Sequence, residues 1–328
     1  MSVTSRRNID TSIVAAILFV VTLAIFKSQV FLPLDHRLND WFLLNQAPNV
    51  IPEPSIIVID IDDYSIEAMK SVVGRWSWPR SVYAEMFEQL SVIKPKAIVV
   101  DVLFAEHDIY RPDDDAYFRE VVSEMHNVFF ASLLLNTDET SGTANSGGNL
   151  VSEIALSTSI SPTENARQVA RGHFVTPNVV GVEAAKVGLI NSSPDKDDTL
   201  RKYHLFRNYQ GWQLNSLPLV VSQAIGTEIT QDSSIILSWP KGSQRPYKTV
   251  SFVNVYRAVV ENDIQTLAQF SNKVILLGSS AAGLFDAQHT PIHPELPGVY
   301  ILAVAIDNLL NDSFISLADN TLFITAFI

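Results

Sequence analysis

The sequence predicts an α/β fold with a mostly parallel central sheet, flanking helices and a hairpin excursion, preceded by one transmembrane helix. Three observations lead there. Ser55 to Ile61 (SIIVIDI) and Ala97 to Phe104 (AIVVDVLF) are β-branched, almost continuously apolar runs, the pattern of strands covered on both faces. A stretch with apolar residues at helical spacing separates them, which makes the strands parallel with a right-handed crossover. Val274 to Leu277 then passes through Gly278-Ser279-Ser280 and an acidic loop to Pro297-Gly298, which opens a long apolar helix, Val299 to Leu310.

At the N-terminus, Arg6 and Arg7 precede an apolar run from Ile13 to Phe26, and the chain turns apolar again at Val30-Phe31. A spanning helix needs roughly 20 apolar residues, which 9–31 supplies with snorkelled ends, leaving 1–8 in the cytoplasm and the chain beyond about residue 34 outside. A cleaved signal peptide and a buried core helix are the other readings; cleavage needs an Ala-x-Ala-like site, which Ile25 to Gln29 lacks. The expected globular body covers 34–318. A second apolar run, 321–328, stops far short of spanning length and reads as the start of a second, truncated membrane helix, or else as a short strand or helix packed on the body.

Within the body, Pro79-Arg80 begins a helix in which Tyr83, Met86, Phe87, Leu90 and Ile93 share one side and Pro95 ends it. Asp113, Asp114 and Asp115 are placed to cap the next helix and meet its dipole, with Phe118, Val121, Val122 and Met125 inward. Val128 to Leu135 is a third strand. Residues 136–165 include a small, polar stretch read as a flexible insertion. Gly188 to Asn191, an acidic turn, and Tyr203 to Tyr209 suggest the hairpin; Leu217 to Ile225 and Val253 to Val260 read as helices, and Ile235 to Trp239 as a short strand.

Composition narrows function. Of 328 residues 47% are hydrophobic and 18% charged, which excludes wholesale disorder and leaves apolar residues for a membrane. A net charge of −12 without a Lys/Arg cluster argues against nucleic acid as partner. No cysteine is present, as suits an exported chain without disulfides but also many cytosolic proteins.

The segments VIDIDDYSI from Val58, GRWSWPR ending at Arg80, IVVDVLFAEHD ending at Asp108, DDDAYF at 113–118, GLINSSPDKDDTLRK from Gly188 and the closing stretch 273–310 resemble, in order and spacing, the CHASE type 2 domain, a periplasmic sensory module of bacterial transmembrane receptors. Where that family has Asp-Gly before an Arg, this chain has Asp198-Thr199-Leu200-Arg201, so no role is carried over to that loop. The resemblance implies an input domain at the bacterial inner membrane with its main domain in the periplasm. It also implies a homodimer, an unknown periplasmic small molecule or protein as partner, and an effector in cis such as a nucleotide cyclase, diguanylate cyclase or kinase. The motifs of those effectors are absent from these residues.

Asp60 and Asp62 lie at or just past the end of the first strand, Asp101 lies inside the second, Ser279 is in the turn after Leu277 and Asp286 follows that turn; if the strands are parallel neighbours their carboxyl ends converge, with Arg80 as counter-charge. Together they suggest a pocket for a cation or for an amine-bearing or hydroxylated small molecule. The structural alternative pairs Asp101 with Arg80 or Arg75 and makes Asp60, Asp62 and Asp63 helix caps and turns. No cofactor or metal is expected: His289 and His293 lie in a loop where Pro291 and Pro294 preclude helical alignment of an i,i+4 pair. Trp76 and Trp78 are either a binding platform or packing at a strand–helix junction. As a second function, the Asp60-Ile61-Asp62 strand end resembles haloacid-dehalogenase-type phosphatases, although Tyr64 departs from their motif and their later Lys and acidic pair are not evident.

Overall fold

The computed structural model describes Phe19 and residues 32–135, 149–155, 160–180, 186–227, 232–240, 245–284 and 287–315. Apart from Phe19, the expected membrane segment 9–31 lies outside the described residues, as do the apolar end 321–328, residues 136–148 and 156–159 of the insertion, and Asp286. No helix among the described residues is long and apolar enough to cross a membrane. Helix α1 (Leu32–Gln46) belongs to a unit separate from the body that begins at Ala47.

The body opens with β1 (Ile56–Ile61), α2 (Asp63–Met69), α3 (Arg80–Ile93), β2 (Ala97–Val100), α4 (Pro112–Ser123) and β3 (Val128–Leu135). It continues through β4 (Asn149–Leu150), α5 (Val151–Ala155), β5 (Ile160–Pro162), β6 (Arg171–Val175), β7 (Lys186–Leu189), β8 (Lys202–His204), β9 (Phe206–Tyr209), β10 (Trp212–Asn215) and α6 (Leu217–Ala224). Then come β11 (Ser234–Ile236), β12 (Lys248–Ser251), α7 (Phe252–Val260), α8 (Ile264–Leu267), β13 (Val274–Ser279), β14 (Ala287–Gln288), β15 (Leu296–Pro297) and α9 (Gly298–Leu310).

The main sheet runs β12-β1-β13-β2-β3-β6-β4, with β7 also paired to β3. From β12 to β3, and at β7, neighbours are parallel; β6 runs antiparallel to β3. Because strand side chains alternate, Ile57, Ile59, Ile61, Ile98, Val100, Ile275 and Leu277 enter one core with Phe87 of α3, Phe118 of α4 and Phe252 of α7. The opposite face carries α9, packed on β1, β13 and α6. Each aliphatic side chain withdrawn this way contributes about 1.5–3 kcal/mol, which is why both faces of these strands read as unbroken apolar runs.

Several expectations are corrected. The second strand ends at Val100, not Phe104: Phe104 reaches the core from a loop, packed edge-on to Tyr83 and Phe118, so the apolar run reports burial and not extension. Strands β1 and β2 are parallel but not adjacent, since β13 lies between them. The acidic triplet does not cap α4. Arg111 stands at the N-cap without a side-chain bond, and Asp115 instead accepts the Asp108 N–H at 2.8 Å. The hairpin is β9–β10, closed by Gln210 and Gly211, both at positive φ as a two-residue primed turn demands. β8 pairs instead with β11. The described end of the insertion is ordered into β4 and β5, which pair with β6 and β10.

At two glycines a side chain has no room. A Cβ on Gly278 would sit 2.7 Å from Val299 Cβ, where α9 crosses β13, and one on Gly188 would sit 2.4 Å from the Leu217 backbone, where α6 meets β7. Gly278→Ala and Gly188→Ala should each lower stability by about 1–3 kcal/mol in urea unfolding, Gly188→Ala more because backbone must yield.

Candidate functional site

Beyond the carboxyl ends of β1 and β13 the acidic residues are drawn into a hydrogen-bonded network. Asp60 is fully buried in the middle strands, opposite Gly278 in register. An isolated carboxylate there would be prohibitively costly. Its Oδ1 accepts the Ser280 N–H at 2.9 Å; its Oδ2 accepts the Ser280 hydroxyl at 2.7 Å and the Tyr300 hydroxyl at 3.1 Å, and lies 3.3 Å from Arg245. Burial still pushes its carboxyl above the ordinary value, against the pull of Ser280, Arg245 and Tyr300.

Asp62 is the N-cap of α2. Its Oδ1 accepts the Ser65 N–H at 2.8 Å and the Ser65 hydroxyl at 2.6 Å, and its Oδ2 accepts the Ser251 hydroxyl at 2.5 Å. Burial alone would raise this group; the bonds from Ser251 and Ser65 outweigh it and hold the carboxyl below its ordinary value. Asp63 accepts the Ala282 N–H at 3.0 Å, and the Ser279 hydroxyl donates to the Ile61 carbonyl at 2.9 Å. These residues stitch the turn after β1 to the turn after β13. Both oxygens of Asp60 are engaged and none of its surface meets solvent, which closes it to the in-line attack that a phosphatase nucleophile performs.

Arg80 is not their counter-charge. It donates to the Glu106 carbonyl at 3.3 Å, lies 4.0 Å from Asp115 and covers the Phe104 ring at 5.0 Å, whereas the guanidinium at Asp60 is that of Arg245. Trp78 is buried among Trp76, Tyr83 and Phe252, so its role is packing. His289 meets the Thr199 hydroxyl at 3.0 Å, and His293 closes a turn on Thr290.

The open space lies beside this network. Past the ends of β2, β13 and β7, a cavity of about 490 Å³ is bounded by Asp101, Ser279, Asn191, Tyr203, Gln288 and Trp76 on its polar parts. Leu103, Leu133, Ile190 and Leu284 form apolar wall, and Gly298, Ile301 and Leu302 of α9 complete it. Of the residues singled out in sequence, Asp101, Ser279 and Trp76 reach this cavity; Asp60, Asp62, Arg80 and Trp78 do not line it. Tyr203 is the residue that sequence reasoning missed. It is 4% exposed, and its buried hydroxyl has no hydrogen-bond partner among the described residues. Burial and the charge of Asp101 push the phenol up, so it stays protonated. A short β-strand Tyr carries no sequence signal of this kind.

The chain belongs to the CHASE2 domain family, whose family model matches residues 14–327. CHASE2 domains are periplasmic sensory domains of bacterial receptors. Comparison with curated proteins and with solved structures returned no match.

The two network acids carry opposite pH signs. Asp62, with its lowered value, contributes stability present above the unfolded pKa of about 3.9 and lost as pH falls through its folded value. Asp60, with its raised value, contributes stability present below about 3.9 and lost as pH rises through its folded value. Urea midpoints across the acid range should therefore show the deficit of Asp62→Asn relative to wild type growing with pH, and that of Asp60→Asn shrinking with pH.

Proposed function

We propose that this chain is the sensing input of a bacterial transmembrane receptor, held at the inner membrane by residues 9–31 with its α/β body in the periplasm. A small molecule or protein binds the body, and the change passes along α9 to the apolar segment beginning at Thr321. From there it reaches a cytoplasmic effector in cis, a nucleotide cyclase, a diguanylate cyclase or a kinase, through a homodimer.

The observation that carries this reading is the position of α9. The helix forms one wall of the cavity and is bound to the sheet by polar contacts along its length. Tyr300 donates to Asp60, Asp307 accepts the Tyr247 hydroxyl at 2.8 Å and the Glu53 N–H at 3.0 Å, and Asn308 bridges Ser238 in both directions. A helix so held moves with the sheet or against it as a rigid rod, and packed interfaces of this kind switch between discrete arrangements. A ligand shifts that balance only by binding one arrangement more tightly, by about 1.4 kcal/mol for each tenfold change in population ratio.

Fusion after residue 200 to alkaline phosphatase should give active enzyme in intact cells, and the matching green fluorescent protein fusion should be dark. The reverse pattern would place the body in the cytoplasm and sink the proposal. Paired cysteines introduced at Asp312 should crosslink in membranes; none forming would remove the homodimer.

A further inference from the structure

The cavity past the carboxyl ends of β2 and β13 lies where neighbouring strands send the chain to opposite faces of the sheet. After β1 and after β2 it passes to the face carrying α2, α3 and α4; after β13, which separates them, it passes to α9 on the other face. Loops that part in this way leave a crevice, and open α/β sheets take their small ligands there. The volume of about 490 Å³ falls within the range of about 300–1,000 Å³ usual for such sites.

The lining is apolar where it is open and polar where it is already engaged. Trp76, Val102, Leu103, Leu133, Ile190 and Leu284 converge there from separate segments of the chain, and none is fully buried; Leu103 is 38% exposed and Leu284 39%. Large apolar side chains left open to water and gathered in one concavity mark a binding surface. The polar groups beside them bond inward. Asn191 uses both ends of its amide on the Leu134 backbone, at 2.9 Å each, and the Ser279 hydroxyl donates to the Ile61 carbonyl and accepts the Ala281 N–H at 3.2 Å. The Tyr203 hydroxyl is buried, and Asp101 and Gln288 each interact within the protein. A charged ligand entering here would shed its hydration with few groups to replace it, whereas an uncharged apolar one gives up little.

We infer that this cavity binds an uncharged, predominantly apolar small molecule, held by withdrawal of its surface from water and not by an ion pair. Seated there, the molecule lies against Ile301 and Leu302 and so bears directly on α9. Binding of this kind deepens the sensing reading and rests on it for the signalling consequence, whereas occupancy itself is measured without any effector.

The chain contains no cysteine, so single thiols can be placed in it without background. In opened membranes carrying the full chain, Leu103→Cys and, from another wall of the cavity, Leu284→Cys are labelled with N-ethylmaleimide while a matched series is titrated: uncharged 3-methylindole, with tryptamine and indole-3-acetate as its cationic and anionic counterparts. 3-Methylindole should slow labelling saturably at both thiols, and each charged compound should need at least tenfold higher concentration for the same protection. Val92→Cys, exposed on α3 and outside the lining, should be labelled at one rate throughout. Leu284→Asp in the Leu103→Cys background sets a charge at the exposed rim and should raise the 3-methylindole concentration required at least tenfold. Equal protection by the three compounds, no saturable protection at either thiol, equal protection of Val92→Cys, or indifference to Leu284→Asp would overturn the inference. Protection in a body that the fusions locate in the cytoplasm would instead remove the receptor reading and leave the site; a periplasmic body without protection would remove the site and leave a protein as the signal.

Discussion

A carboxylate near the carboxyl end of a buried parallel strand governs this domain. Asp60 lies where its neighbours in β1 are aliphatic, and the fold accommodates it only by bringing together the Ser280 turn, the Tyr300 hydroxyl and the Arg245 guanidinium. These partners come from chain segments far apart in sequence, on β13's carboxyl end, on α9 and on the approach to β12. Satisfying one charge therefore fixes the relative placement of sheet, turn and helix at once. Loss of one partner leaves a buried charge short of its bonds, which is far more damaging than loss of a surface pair.

The same junction explains why the cavity lies beside the acids and not among them. Asp60, Asp62 and Asp63 are consumed in joining the turns after β1 and β13, with Gly278 letting α9 approach the sheet closely. Farther along the sheet, past β2 and β7, the space is walled by leucine and isoleucine side chains, with Asp101 and Tyr203 also among its lining residues. One helix serves both regions: Tyr300 joins the network while Ile301 and Leu302 face the cavity. Neighbouring positions on α9 thus join the buried network to the wall of the cavity.

Elements whose local pattern matches their burial were legible from the residues. The β-branched runs became β1 and β2, Val274 to Leu277 became β13, Pro79-Arg80 and Pro297-Gly298 opened α3 and α9, and the stretch from Leu217 became α6. The hairpin was misplaced because Gln210-Gly211 is a weak turn signal compared with the acidic loop before it, although both residues take the left-handed conformation. Asp113 to Asp115 read as caps because acids favour helix starts, yet a tertiary bond to the Asp108 N–H claimed Asp115. Asp62 as a helix cap and Trp78 as packing could be read locally, since one acts on neighbours in sequence and the other on a core, whereas Asp63 opens α2 and bonds the distant Ala282 N–H.

By itself the sequence determined the alternation of buried strands and amphipathic helices, and with it the α/β class and the CHASE2 family, because hydrophobic spacing and ordered short segments are properties of the chain alone. Only the tertiary structure decided that β13 separates β1 from β2, that Arg245 and not Arg80 meets Asp60, and that Tyr203 lines a cavity. Strand order and charge pairing depend on which distant segments come within a few ångströms of each other, and a single chain's local periodicity carries no record of that distance.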